Sequence, residues 1–334
     1  MTSPRILTEY NNARYVPGQK KGHYESYFLR ANHPSRPLAF WIRYTIFNPH
    51  NNPGRALGEL WFMFFDGETG KHAAAKQELP IGQCRFSGDS LDVAVGNATL
   101  VRGALKGAIK NDRAQASWDL SYNGAEAPLF DFPEGYYYRG FPKAKVLVGL
   151  PLAAFRGELL VNGKKIKIEN WTGSENHNWG SKHTDHYAWG QVAGFENSMT
   201  TFLELATARI KIGPLWTPFM TPLVLRHAGK EYALNNLGST LGRASFKYFD
   251  WNFKAEGDDI SLQGNIRADR RDFVCLPYYN PPGGTKFCLN TKIAACRLII
   301  KRRGIARPEV LETHHRAAFE ILTDSDDHGL TPAV

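Results

Sequence analysis

The sequence predicts an all-β protein of two closed or nearly closed antiparallel barrels related by internal duplication. Three observations carry that expectation: alternating apolar runs bounded by turn dipeptides, scarce helical periodicity, and residue patterns that recur in the second half. At 334 residues the chain exceeds what one core usually serves, so two domains are expected, residues 1–180 and 181–334.

The elements follow in chain order. In RPLAFWIRYTIFNP, Leu38, Phe40, Ile42, Tyr44 and Ile46 share one strand face while Trp41, Arg43, Thr45 and Phe47 share the other. GELWFMFFDGETG comes next and ends in an Asp66-Gly67 turn. LDVAV, ATLVRGALKGAIK, AQASWDLSYNG and FRGELLVNGKKIKIENW, with its Asn162-Gly163 turn, continue the strand pattern, and only HRAAFEIL near the C-terminus is ambiguous. The echoes are Trp118-Asp119-Leu120 with Trp251-Asn252-Phe253, then AAFRGELLVNG with AACRLIIKRRG, then Glu175 and His177 with Glu312 and His314. Closing such a unit into a barrel pairs the strand edges and leaves an interior for side chains or one lipophilic molecule.

Composition removes several function classes. Cys84, Cys275, Cys288 and Cys296 form no CxxC pair, which speaks against zinc-ribbon and thioredoxin chemistry. The N-terminus has no apolar leader and no later run has membrane length, so the chain is read as soluble and cytoplasmic. A formal charge of +9 is scattered among acids, which disfavours nucleic acid and better suits peripheral contact with an anionic membrane surface. No Walker loop, GxSxG elbow or dinucleotide fingerprint is present.

Chemistry concentrates in GSENHNWGSKHTDHYAWGQ, residues 173 to 191. Alternation puts Glu175, His177 and Trp179 on one face, Asn176 and Asn178 on the other, and Tyr187, Trp189 and Gln191 on one face of the next strand. A hairpin through GSKHTD would gather a carboxylate, an imidazole, indoles and a phenol on one wall, able to move a proton and to stabilise a carbocation. The bland alternative is a polar seam that satisfies buried backbone groups between domains. A metal site from His177, His183, Asp185 and His186 is a further reading, but the spacing is not that of HExxH, and no metal is expected. Tyr136 to Tyr138 could gate a cavity mouth, Tyr278 and Tyr279 sit beside a Pro-Gly turn, and Arg43 and Glu204 need partners if buried.

With Asn176-His177-Asn178-Trp179-Gly180 and Trp189-Gly190-Gln191, on paired barrel-sized halves, the chain resembles a two-domain lipocalin-like superfamily. That group comprises carotenoid 1,2-hydratase, AttH-like proteins, tocopherol cyclase and fungal Diels-Alderases. The resemblance implies two calycin or lipocalin-like antiparallel barrels packed together, with a greasy substrate held at or between them. Asn176 stands where the group's pattern has an acid, and an amide cannot donate a proton as a general acid.

The resulting expectation is an enzyme that hydrates, cyclises or isomerises an isoprenoid or polyketide-like molecule without an organic cofactor. His177, Glu175 and Asp185 would be catalytic, and Asn176, Asn178, Trp179, Tyr187, Trp189, Gln191 and Glu204 would contact substrate. The alternative is a non-catalytic carrier of a lipid or other hydrophobic ligand, for which burial of methylenes at about 0.8 kcal/mol each suffices.

Overall fold

Alternation in the first strands produces two buried faces instead of one buried and one wet. In the computed structural model, which describes residues 4–236, 240–242 and 244–334, a short helix α1 (Pro4–Glu9) precedes the first sheet. Its strands are β1 (His23–Asn32), β2 (Leu38–Asn48), β3 (Leu57–Asp66), β4 (Ala73–Pro80), β5 (Cys84–Phe86), β6 (Asp92–Val95), β7 (Ala98–Val101), β8 (Ala104–Lys110), β9 (Gln115–Asn123), β10 (Leu129–Phe130), β11 (Ala144–Val161) and β12 (Lys164–Gly180). They run in the order β4-β3-β2-β1-β12-β11-β9-β8-β7-β6-β5, with β10 beside β11 and all pairs antiparallel. β4 packs against β8, so the sheet nearly closes.

Leu38, Phe40, Ile42 and Tyr44 of β2, with Leu60, Phe62 and Phe64 of β3, fill this barrel around Trp118, Phe155 and Trp171. Their alternate neighbours Ala39, Trp41, Trp61, Met63 and Phe65 point the other way and are equally buried, because a second sheet covers them. The face assignment expected for Leu38–Asn48 therefore holds. Its outer set is buried too, apart from the half-buried Phe47, because it is an interface.

The second sheet comprises β13 (His186–Phe195), β14 (Ser198–Arg209), β17 (Leu223–His227), β18 (Lys230–Leu234), β19 (Ala244–Lys247), β20 (Asp250–Glu256), β21 (Ile260–Arg267), β22 (Val274–Tyr279), β23 (Thr285–Arg302) and β24 (Glu309–Thr323). A separate small hairpin is formed by β15 (Lys211–Ile212) and β16 (Leu215–Trp216). The order is β18-β17-β14-β13-β24-β23-β21-β20-β19, with β22 beside β23. As far as β7 this repeats the order of the first sheet: β13 takes the place of β1, β24 of β12, β23 of β11, β21 of β9, and β22 of β10, while β5 and β6 have no counterpart among the described residues. HRAAFEIL is strand, inside β24.

The echoes sort differently from expectation. AAFRGELLVNG and AACRLIIKRRG fall on the equivalent strands β11 and β23. Trp118 lies on β9 and Trp251 on β20, which is the counterpart of β8, so that pattern is coincidental. Glu312 and His314 lie on β24 beside the register of Arg297 and Cys296, whereas Glu175 and His177 pair with Leu150 and Leu147 near the start of β11. They are not equivalent positions either.

The segment 181–185 does not make a hairpin of its flanking strands. β12 pairs with β1 and β11, and β13 pairs with β14 and β24, so the link carries the chain from one sheet to the other. The single wall expected of residues 175–179 and 187–191 is consequently divided.

Candidate functional site

One face of β12 looks into the first barrel. There His177 is fully buried, with Nδ1 2.7 Å from the Tyr10 carbonyl oxygen and Nε2 2.8 Å from Glu25 Oε1. Both nitrogens face acceptors. Glu25 also accepts from the backbone N–H groups of Arg14 and Tyr15 and from His23. Burial alone would raise its carboxyl, but the hydrogen bonds and charge of His177 and His23 hold it down, at about 2. Tyr27 stacks on the imidazole at 4.2 Å and Trp179 lies 4.7 Å from it.

Glu175 is hydrogen-bonded by Asn11 and by the Tyr122 hydroxyl, and burial raises its carboxyl. Gly149, beside a bulge in β11, leaves the room: a Cβ there would collide with that carboxylate. Ile6 of α1, Tyr10, Tyr137, Leu147 and Trp179 pack over this cluster. It is a plug whose imidazole and carboxylates are spent on one another and on their neighbours, with Asn11 Oδ1 left without a partner.

The opposite face of β12 looks across to the second sheet. Gln191 is its hub, accepting from Arg30 Nε (2.7 Å) and Ser174 Oγ (2.6 Å) and donating to Asn176 Oδ1 and Glu204 Oε2 (both 2.8 Å). Trp189 Nε1 donates to Glu204 Oε1 at 2.6 Å. Burial pushes the Glu204 carboxyl up to about 8 against these bonds and the Arg30 charge. Asp131, entering after β10, is raised by burial and by Glu204 itself, so the two carboxyls share protons across the seam.

Beside this seam lies a cavity of about 490 Å³ between the two sheets. Phe28, Trp41, Tyr187, Trp189 and Met220 supply apolar wall, and Arg43, Asn178, His183, Tyr278 and Glu320 supply polar groups. Three of its buried polar atoms have no hydrogen-bond partner: Trp41 Nε1, Asn178 Oδ1 and Tyr278 Oη. Glu320 accepts from Lys292 Nζ at 2.7 Å and Asn290 Nδ2 at 2.8 Å. His183 stacks on Tyr24 at 4.0 Å, and burial, aided by Arg43 and Lys286, pushes it down to about 3. Phe141, Lys143, Lys182, Lys211 and Ile212 form the rim.

At this point comparison with known proteins becomes informative. No protein-family model matches the chain. An uncharacterized protein of Mycobacterium tuberculosis, found in strains CDC 1551 and H37Rv, is 24% identical over 280 residues, covering 82% of this chain and 80% of the relative. Among solved structures, an AttH-like protein from Nitrosomonas europaea superposes with a TM-score of 0.57 at 14% identity, covering 93% of this chain and 98% of its own. Kievitone hydratase from Nectria haematococca gives 0.55 at 14% identity over 96% of each chain, and CghA gives 0.51 at 9% over 93% of each. The chain shares the fold of these three structures.

Against that fold the sequence-derived candidates separate into three sets. His177, Glu175 and Trp179 belong to the plug. Asn176, Gln191 and Glu204 are the seam, and Asn178, Tyr187 and Trp189 line the cavity. Asp185 does neither: it accepts from Lys182 Nζ and from the Lys211 backbone N–H, bracing the rim. Its burial is outweighed by those hydrogen bonds, which hold its carboxyl below the usual value. Among the described residues no three His, Cys, Asp or Glu side chains are placed to hold a metal, so His177, His183, Asp185 and His186 do not converge.

Sequence reasoning missed Tyr24, Phe28, Lys145, Asp131 and Glu320 at these sites. A lone acid in the apolar run AAFEIL is the signal that marks Glu320, and nothing local marks Asp131. Tyr137 of the expected gate turns inward and donates to the Val146 carbonyl, while Tyr138 is exposed.

Proposed function

We propose that this protein is an enzyme that hydrates, cyclises or isomerises a hydrophobic small molecule held in the cavity between the two sheets, using proton transfers and shape without an organic cofactor. One observation carries the reading: an apolar hollow lined by a single carboxylate, Glu320, and by three residues, Trp41, Asn178 and Tyr278, that each bury a polar atom without a hydrogen-bond partner. Buried polar atoms without partners are rare in folded proteins and are satisfied when a ligand supplies the missing group. The likeness in fold to kievitone hydratase is consistent with it.

In this reading Trp41 Nε1–H and the Tyr278 hydroxyl orient a substrate oxygen. Glu320, backed by Lys292, accepts or returns a proton, or stabilises positive charge as it develops. The rings of Trp41, Tyr187 and Trp189 add cation–π stabilisation on the order of 2 kcal/mol. His177 and Glu175 take a structural role.

Access is past the β15–β16 hairpin, whose Ile212, Leu215 and Trp216 are exposed beside Lys211, an arrangement suited to a lipid surface that stores a greasy substrate. The compartment follows from none of this, and among the described residues no helix is long and apolar enough to cross a membrane.

Because Glu320 is already ion-paired with Lys292, a carrier that only binds is the second reading. Native mass spectrometry of protein from its own cells identifies the co-purifying lipophile. With that compound, Glu320→Gln is expected to abolish product while leaving affinity within about threefold. Absence of turnover by the wild-type chain selects the carrier.

A further inference from the structure

Arg43 has no assigned task in that reaction, and its surroundings are unusual for a guanidinium. It projects from the middle of β2 into the inter-sheet cavity and is only 5% exposed. Its Nε and Nη2 donate to the Ser26 hydroxyl at 2.9 and 2.6 Å, and its carbon sits 4.4 Å over the Tyr278 ring and 5.7 Å over Trp41. Among the described residues no carboxylate lies within ion-pair distance of it, and Nη1 has no protein acceptor. An arginine cannot shed its proton, and an ion taken out of water without a counter-charge is costly.

At longer range Glu320 and Glu59 act against its burial and the guanidinium is raised above its usual value, yet neither carboxylate touches it. Facing the cavity are the cations Arg43, Lys143, Lys145, Lys182 and Lys211, against the one carboxylate of Glu320. Glu320 is matched by Lys292 behind the wall, and Asp185 by Lys182 at the rim. His183, next to Arg43, adds no negative charge. The nearest other buried acid on this side, Glu59, is paired with Lys76.

We propose that the ligand of this cavity is a lipophilic carboxylic acid whose carboxylate docks on the free edge of Arg43, with the Tyr278 hydroxyl as a second donor. The apolar body then lies along Phe28, Trp189 and Met220. This rests on the inter-sheet cavity being the ligand site. The free guanidinium edge suits a planar two-oxygen anion, and the pair forms in a desolvated setting where charge-assisted hydrogen bonds are strong.

Retinoic acid and retinol test it, since they differ essentially in the carboxylate and both quench tryptophan fluorescence, here that of Trp41 and Trp189 in the wall. At pH 7.5 wild-type protein is expected to bind the acid about tenfold to hundredfold more tightly than the alcohol. Arg43→Gln should bring the two affinities together, and Arg43→Lys, which keeps the charge but not the fork, should retain part of the preference. Equal affinities in the wild type, or a preference that survives Arg43→Gln, overturn the assignment while leaving the cavity reading intact. Quenching by neither retinoid overturns the cavity reading and this inference together. The wild-type comparison decides the matter even if Arg43→Gln does not fold.

Discussion

The two faces of β12 differ by one residue in the chain and by everything in their surroundings. Glu175, His177 and Trp179 enter a barrel end sealed by α1 and the Tyr10–Tyr15 segment, where Glu25 answers the imidazole. Asn176 and Asn178 meet a second sheet across a seam that is hydrogen-bonded at one end and hollow at the other. The lesson is that a cluster of reactive side chains in sequence is not a site until one knows which ones keep an unpaired atom facing space. The imidazole and its acids have none to spare. Asn178, by contrast, lines the cavity, and its Oδ1 has no protein partner.

Several measurements can break or sharpen that contrast. The largest effect is expected from His177→Ala, which leaves Glu25 buried without its main partner and should lower unfolding free energy by about 3 to 5 kcal/mol in a denaturant titration. Retinol affinity of the folded variant should stay within about twofold of wild type. A large affinity loss without destabilisation would return His177 to the ligand site.

The pH dependence should carry opposite signs on the two faces. Glu25 is held at about 2, so below its unfolded value near 4.5 the unfolded chain binds a proton that the folded one refuses. Its stabilisation is present above pH 4.5 and is lost as pH falls toward 2, by about 3 kcal/mol in all. Glu204 is raised to about 8, so between pH 4.5 and 8 the folded chain keeps a proton that the unfolded one has released. Stability from this group therefore declines as pH rises through that window. Glu204→Gln should flatten the alkaline slope and leave the acid limb unchanged, and an unchanged alkaline slope would show that the seam carboxyl is ionised throughout.

A smaller change is expected for Trp189→Phe. Loss of the indole N–H bond to Glu204 should cost about 1 to 2 kcal/mol and weaken retinol binding several-fold, joining seam and cavity in one residue. Smallest in stability is the double variant Ile212→Ser with Trp216→Ser, expected within about 0.5 kcal/mol of wild type. Its sedimentation with phosphatidylserine-containing vesicles should nevertheless fall several-fold, and unaltered sedimentation would remove the hairpin from any membrane contact.

Much of the architecture was legible in the sequence. Period-2 alternation in Leu38–Asn48 assigns each side chain to a face, and the likeness of Ala153–Gly163 to Ala294–Gly304 marks equivalent strands, because both signals are local. Strand partnership is not local. Nothing in residues 181–185 says whether the chain turns back as a hairpin or crosses to another sheet, so His177 and Trp189 were expected on one wall and stand on different ones. The cavity escaped for the same reason: Arg43, Asn178, Trp189, Tyr278 and Glu320 come from β2, β12, β13, β22 and β24, and only the docking of two sheets brings them together. The tryptophan echo misled because an indole on an inward strand position suits many strands of a barrel, not one.

The first barrel's interior is occupied by its own aromatic side chains and stoppered by α1, so the hollow lies outside that barrel, in the space between its outer surface and the second sheet. Its width is consequently governed by how two independently filled bodies lean on each other. A substitution at the contact between Trp61 and Tyr278, or between Phe28 and Trp189, can open or narrow the chamber while neither barrel's own filling is disturbed. Such a scaffold can accommodate a new guest by tilting, without first unbuilding a core.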